Sequence, residues 1–294
     1  LEGQEHPEGE REDIRALCFL MKEAAAILKE KRRKRGAIDF DFPESKIIVD
    51  DKGYPIDIHP YERNVATDII EDFMLLANET VAEDYFWQEI PFLYRTHETP
   101  DSDKIKKLDT FIHNFGYYMK TGRENFHPKE IQKLLFSLEG EPEEPLISRL
   151  ALRSMKQAKY TTLNVGHFGL STQYYTHFTS PIRRYPDLQI HRIIKENIHG
   201  KLNQKRLEHY EAILPSVAQQ SSTMERRAQD AEREVDKLKK VEYMQQYLGE
   251  AFTGVISGVT SWGFFVELDN TIEGMVPINS LLDDFYVFDE ESYK

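Results

Sequence analysis

The sequence predicts an α+β protein, with a helix-rich body over residues 1–248 and a small β-type domain over residues 249–294. Three observations carry this. Helix-forming composition or helical spacing recurs at 12–35, 64–86, 187–198 and 221–247. Short β-type runs separated by turn residues occupy 37–58 and the stretch after 252. The pattern changes abruptly at Gly249, which places a domain boundary near 248.

Residues 12–35 contain no Gly or Pro and end in the basic run Lys31 to Arg35 before Gly36, which reads as a helix stopped at a glycine. A basic run there is also what the helix dipole favours at a solvated C-terminus. Ile38, Phe40 and Phe42 then alternate with Asp39 and Asp41, the pattern of a half-buried strand. Lys46 to Val49 and Tyr54 to Ile58 flank Asp51-Lys52-Gly53 and predict a hairpin. From 64 to 86, Ile70, Phe73, Met74, Ala77 and Val81 form one apolar stripe, with Glu71 and Asn78 beside it.

Residues 100–160 read as several helices punctuated by His127-Pro128 and Glu141-Pro142. Leu163 to Tyr175, with Gly166 and Gly169, reads as loop and strand. In 221–247, Met224, Ala228, Ala231, Val235, Leu238 and Val241 recur every three or four residues. Phe252 to Thr260, Gly263 to Asp269 and Gly274 to Ile278 close the chain as short strands.

A length of 294 residues suits one large domain plus a small one, or two ordinary domains. With 40% hydrophobic and 30% charged residues the chain reads as soluble and globular. No apolar run approaches the roughly 20 residues that span a bilayer. The single cysteine, Cys18, allows no internal disulfide and fits a reducing compartment, so a cytoplasmic location is expected. No signal-type segment is read at the N-terminus, and the chain opens at Leu1 without methionine, so its true start is expected elsewhere.

The net charge of -13 argues against a phosphate-binding surface as a whole. It is unevenly spread, however. Basic residues cluster at Lys29 to Arg35, at Arg183-Arg184 and at Lys237 to Lys240, so a local basic channel is compatible with an acidic protein.

The segment Tyr175 to Asp187 concentrates hydroxyls, adjacent arginines and two prolines just before a helix. Arg183 and Arg184 suit phosphate oxygens, because a guanidinium is always charged and donates in a planar fork. Thr179 and Ser180 add short donors to the same anion, and Asp187 after Pro186 is an expected helix N-cap. The competing reading is that both arginines pair with surface carboxylates, of which the chain has 51 acidic residues to offer.

Thr176 to Arg192 resembles, over some seventeen residues, a signature of the RNB family of exoribonucleases. Arg35 to Phe40, Ile70 to Asn78, Gly166 to Leu170 and Ala231 to Val235 resemble further family segments in the expected order. The resemblance implies a fold: the C-terminal portion of an RNB-type catalytic domain. It implies roles as well. Phe40 matches an aromatic that stacks on the RNA end, although the residues alone would make it core. Glu71 matches a carboxylate that contacts the terminal nucleotide. Arg183 matches the arginine that holds the scissile phosphate and stabilises transition-state charge. Glu232 matches an acidic residue that helps hold the last nucleotide. Without the resemblance, Glu71 and Glu232 read as ordinary helix-surface charges.

Phe252 to Leu268, with Glu273 to Pro277, resembles the start of an S1 RNA-binding domain, an OB-type barrel. By that resemblance Trp262 and Phe265 take the positions that stack on bases, while Phe264 and Val266 suit the barrel core. Pro277 stands where the family often has histidine. About three of five strands are present, so an incomplete barrel is expected.

The family implies hydrolysis assisted by a divalent metal, with magnesium held by clustered aspartates. Nothing here matches that cluster. Asp39 and Asp41 lie in a different family segment, and Asp50-Asp51, Asp101/Asp103 and Asp283-Asp284 read as turns or loops. The expectation is therefore a piece of a processive, metal-dependent 3′-to-5′ exoribonuclease acting on single-stranded RNA. The magnesium ligands lie outside this chain, which is inactive alone, and the parent enzyme is monomeric. Two rival readings are a non-catalytic single-stranded RNA-binding module and an acidic surface-interaction protein.

Overall fold

Local signals account for most element ends. Helix α1 (Glu12–Arg35) stops where Gly36 takes φ +102°. The Gly36 N–H bonds to the Arg33 carbonyl and the Ala37 N–H to the Arg32 carbonyl, each at 3.1 Å, closing the helix end. The computed structural model describes residues 12–40, 44–121, 126–282, 284 and 286–289. Helix α2 (Val65–Trp87) begins with a reciprocal capping box between Asn64 and Thr67. Between them lies the hairpin of β1 (Ser45–Val49) and β2 (Pro55–Pro60). Its turn is fixed by Asp50, whose carboxylate accepts from the N–H groups of Lys52 and Tyr54 at 2.9 and 2.8 Å.

Strand β3 (Tyr94–Thr96) precedes α3 (Ser102–His113), α4 (Pro128–Leu138) and α5 (Glu144–Ser154). Strand β4 (Lys159–Thr161) returns to pair antiparallel with β3. Helices α6 (Tyr185–Ile198) and α7 (Gln204–Met244) follow. The last is 41 residues, about 60 Å at 1.5 Å per residue. The chain ends in an antiparallel sheet of β5 (Gly254–Thr260), β6 (Gly263–Leu268) and β7 (Glu273–Pro277), in that order.

Two apolar cores hold the helical body. In one, Ala82 and Tyr85 of α2 meet Phe92, Leu93, Tyr94, Tyr160, Ile190 and Ile193, together with Tyr210 and Leu214 of α7. In the other, α3, α4 and α5 bury Leu108, Ile112, Ile131, Leu138, Ile147 and Ala151, and Ile38 and Phe40 pack against them. The sequence's α+β class, helix-rich with a small terminal sheet, is what the chain forms.

Several local expectations are corrected. Residues 37–40 form no strand. The Ile38 N–H is taken by the Gly169 carbonyl at 2.7 Å and the Ala37 carbonyl by the Gln132 amide, so no ladder is available; Asp41 and Phe42 lie outside the described residues. Helix α2 does not bury its apolar stripe, since Ile70 and Met74 are exposed. Its inward face carries Asp72, Asn78, Ala82 and Tyr85 instead. Residues 163–175 contain isolated bridges rather than a strand. Helix α6 starts at Tyr185, with Arg184 rather than Asp187 at its cap position. The apolar stripe Met224, Val235, Leu238 and Val241 lies exposed along α7.

Candidate nucleic-acid interface

The segment from Tyr175 to Asp187 is irregular chain held by long-range hydrogen bonds. Asn78, buried on α2, accepts from the Phe178 N–H at 2.9 Å and donates to the Tyr175 hydroxyl at 3.2 Å. The Thr176 hydroxyl donates to the Leu93 carbonyl at 2.7 Å. The His191 ring stacks on Phe178 with centroids 4.4 Å apart, and its Nε2 lies 2.8 Å from the Phe178 carbonyl. These contacts satisfy the Phe178 N–H and carbonyl without secondary structure, and the side-chain hydroxyls of Tyr175 and Thr176 tie the segment to α2 and Leu93.

His177 Nδ1 lies 2.7 Å from the Tyr160 hydroxyl. Burial, with the charges of Arg184 and Arg95 nearby, pulls the His177 imidazole down to about 2, and burial pushes the Tyr160 phenol up to about 12. Both groups are therefore neutral at physiological pH. The Arg95 guanidinium sits 4.7 Å over the Tyr160 ring and pairs with Glu225 at 2.5 Å. His167, 5.0 Å from His97 in edge-to-face contact, is pulled by burial to about 3.

The end of the segment separates the two adjacent arginines. Asp187 is completely buried, and its Oδ1 accepts from the Ser180 N–H and from Arg184 Nη2, each at 2.8 Å. Arg184 is thereby turned inward. Arg183 is exposed, with no hydrogen-bond or ion-pair partner for its side chain among the described residues. It stands beside Ile182, which is 99% exposed, at the N-terminus of α6, where the helix dipole favours an anion. The Thr179 hydroxyl is buried without a partner in this same turn.

Phe40 and Glu71 line one cavity of about 370 Å³ together with Lys29, Arg32, Arg33, Asp39 and Phe136. The end of α1 contributes three cations to this lining, which also holds Glu139 and Glu144, and Arg33 is paired with Glu30. Arg32 is paired to the buried carboxylate of Asp72, and Glu71 is held by Arg63 at 2.5 Å. Glu232 lies on the exposed stretch of α7. Trp262, at the β5–β6 turn, is 76% exposed, whereas Phe264, Phe265 and Val266 are all half-buried. The sheet thus separates Trp262 from its neighbours but does not divide Phe265 from Phe264. Among the described residues no group of His, Cys, Asp or Glu could hold a metal ion, and no helix is long and apolar enough to cross a membrane.

Sequence reasoning singled out Asn78 only as a neighbour of the apolar stripe and Asp187 only as a cap. The partners of Asn78 lie 97 and 100 residues away, which local patterns do not encode, whereas those of Asp187 lie within seven residues and only its burial was out of reach. His97 and His167 carried no local signal of burial. They line a larger cavity of about 830 Å³ with Arg35, Glu79 and Tyr174.

Comparison with known proteins gives a consistent result. The RNB domain model matches residues 2–200 and the S1 RNA binding domain model residues 246–294. Ribonuclease R 1 of Lactococcus lactis subsp. lactis (strain IL1403) is 46% identical over 271 residues, covering 92% of this chain and 33% of that protein. Ribonuclease R of Aquifex aeolicus (strain VF5) is 47% identical over 276 residues, covering 94% and 39% respectively. The chain therefore spans little more than a third of the length of these relatives. Mycoplasma genitalium RNase R in complex with ribose methylated single-stranded RNA superposes with a TM-score of 0.91 at 28% identity, over 98% of this chain and 45% of that one. The yeast pseudonuclease Ssd1 matches 74% of this chain and 27% of its own, with a TM-score of 0.61 at 25% identity.

Proposed function

Because the chain belongs to the RNB family, we propose that it is part of a processive, metal-dependent 3′-to-5′ exoribonuclease that hydrolyses single-stranded RNA to nucleoside monophosphates. The observation that carries the reading is the exposed, unpartnered Arg183 at the start of α6, with Arg184 locked inward beside it. In this reading Arg183 clamps the scissile phosphate and stabilises the charge that develops on it. Arg184 acts through Asp187 to hold the turn, and Thr179 and Ser180 complete the anion's surroundings.

Phe40 stacks on the 3′-terminal base within the cavity it shares with Glu71, whose lining mixes Lys29, Arg32 and Arg33 with the carboxylates of Asp39, Glu139 and Glu144. Glu71 and Glu232 position the last nucleotide. Trp262 and Phe265 stack on bases upstream, which suits binding without sequence preference. The helical body through about residue 248 is the catalytic portion, and 249–294 the RNA-binding portion. The parent enzyme works as a monomer in the cytoplasm.

Magnesium is the metal this family of reactions would use, activating water and neutralising the leaving oxygen. The described residues do not fit it, for they gather no carboxylate cluster. The chain's own contribution is then binding and orientation, and the 294-residue chain is inactive alone. A second reading, a non-catalytic RNA-binding module, draws its support from the likeness to the yeast pseudonuclease Ssd1.

Release of mononucleotides from a 3′ single-stranded RNA, with magnesium and with EDTA, tests the reading. This chain should bind the RNA and release nothing. A form extended with further coding sequence should degrade it only with magnesium. Degradation by this chain would overturn the assignment of the metal ligands elsewhere, and Asp39 and Asp41 would be the first carboxylates to test. Binding without hydrolysis by the extended form would establish the second reading.

A further inference from the structure

The terminal sheet is not simply tethered to the helical body. Arg149 of α5 reaches two carboxylates on neighbouring strands, pairing with Glu267 of β6 and, at 2.5 Å, with Glu273 of β7. Glu273 also accepts from the Ser257 hydroxyl of β5 at 2.5 Å, so a single guanidinium is linked to all three strands. Such a fork matches two carboxylates in a way an ammonium does not.

The turn between β6 and β7 carries a second anchor. Thr271 is β-branched yet has φ +69°, a left-handed conformation that such residues rarely adopt. It is 6% exposed. Its hydroxyl lies 2.7 Å from that of Ser45 on β1, and its carbonyl accepts from Lys240 Nζ of α7 at 2.8 Å. A strained residue persists only where its surroundings over-determine it; here the Thr271 N–H bonds to the Leu268 carbonyl within the turn at 2.9 Å, and Ser45 and Lys240 hold it from the helical body.

The docking site adjoins the predicted RNA pocket. Glu144 and Ser148, one turn apart on α5, line both the cavity that holds Phe40 and Glu71 and a second cavity of about 310 Å³ between α5 and the sheet. The next residue, Arg149, is the one that grips the sheet.

We propose that Arg149 is a positioning residue for RNA: it fixes the sheet against α5, as Thr271 fixes it against β1 and α7, so that a strand stacked on Trp262 is presented in one orientation to the Phe40–Glu71 cavity. This rests on the function proposed above. A rigid link between two weak sites raises the effective concentration of one for RNA already held by the other, and a loose link forfeits that gain.

The test uses the full 294-residue chain and the variant Arg149→Met, which alters the helical body and leaves the sheet's own residues intact. Two readouts are taken. One is affinity for a short oligouridylate that fits a single site and for one of about 20 nucleotides, longer than one OB-type face covers. The other, which needs no RNA, is the distance distribution between labels on Cys18 and on an introduced Ser280→Cys. The variant should lose about tenfold or more in affinity for the long RNA and keep its affinity for the short one. Its label distances should broaden from one narrow population.

A folded variant that keeps its long-RNA affinity, or keeps the narrow distribution, overturns the proposal. Equal losses for both RNAs also overturn it, since a merely structural residue would produce them. If Arg149→Met loses protection of the β5–β7 amides, Ser45→Ala and Arg149→Lys carry the same test with every charge retained. Failure of the unaltered chain to bind either RNA sinks the proposed function and leaves the label distances to decide the docking.

Discussion

Asp187 and Arg184 form a part-buried pair three residues apart at the start of α6, with the carboxylate wholly inaccessible and its Oδ1 2.8 Å from Arg184 Nη2. The neighbouring Arg183 is consequently the arginine left at the surface. Two identical side chains thus acquire opposite tasks, one internal and one directed outward.

The pair predicts a contrast between variants. Asp187→Ala removes the acceptor of both Arg184 and the Ser180 N–H and should destabilise the chain by about 3 kcal/mol, since it strands a buried charge. Arg183→Met should change stability by no more than about 0.5 kcal/mol, as for other unpartnered surface positions. It should still weaken RNA binding. Urea denaturation and fluorescence anisotropy with a labelled oligonucleotide measure the two effects. Equal destabilisation by both variants would refute the division of roles.

Asn78 should be costly to lose although its helix can form without it. Asn78→Leu leaves the Phe178 N–H without an acceptor and the Tyr175 hydroxyl without a donor, at about 1–3 kcal/mol. Hydrogen exchange at Phe178 should rise more than exchange within α2. A uniform rise would mean that α2 itself had been weakened.

Stability should fall on mild acidification. His177 and His167 are held at about 2 and about 3 in the folded chain, below the value near 6.5 of an unfolded one. Above that value neither state binds the proton, and the histidines contribute no pH dependence. Below it only the unfolded state does, so unfolding becomes easier as pH falls, until the folded values are reached. Each histidine adds a slope approaching about 1.4 kcal/mol per pH step of one. Urea midpoints between about pH 7 and pH 4.5 should therefore drop, and His177→Gln should flatten the drop. An unchanged slope in that variant would remove His177 from the account.

Trp262 should report binding without supporting the fold. With 76% of its surface exposed, Trp262→Ala should shift stability by less than about 0.5 kcal/mol. It should cost about 1–3 kcal/mol of single-stranded RNA affinity if a base stacks there. Quenching of tryptophan fluorescence by oligouridylate should shrink in parallel. Full quenching in the variant would assign the signal to Trp87.

The sequence by itself determined the elements whose signals are local. The basic run before Gly36 stops α1, Asn64 and Thr67 start α2, and Asp50 with Gly53 turns the β1–β2 hairpin, because each depends on groups within a few residues. The motif from Thr176 to Arg192 was legible as a unit, and so was the change of period at Gly249. Only the tertiary structure decided which face of α2 turns inward, why Ile38 and Phe40 leave no strand, and which arginine is free. Those outcomes depend on Asn78 meeting Phe178, on Gly169 meeting Ile38, and on burial that makes a histidine neutral or a carboxylate an anchor. Desolvation and long-range hydrogen bonding are properties of the packed chain, and neither is written in the spacing of residues along it.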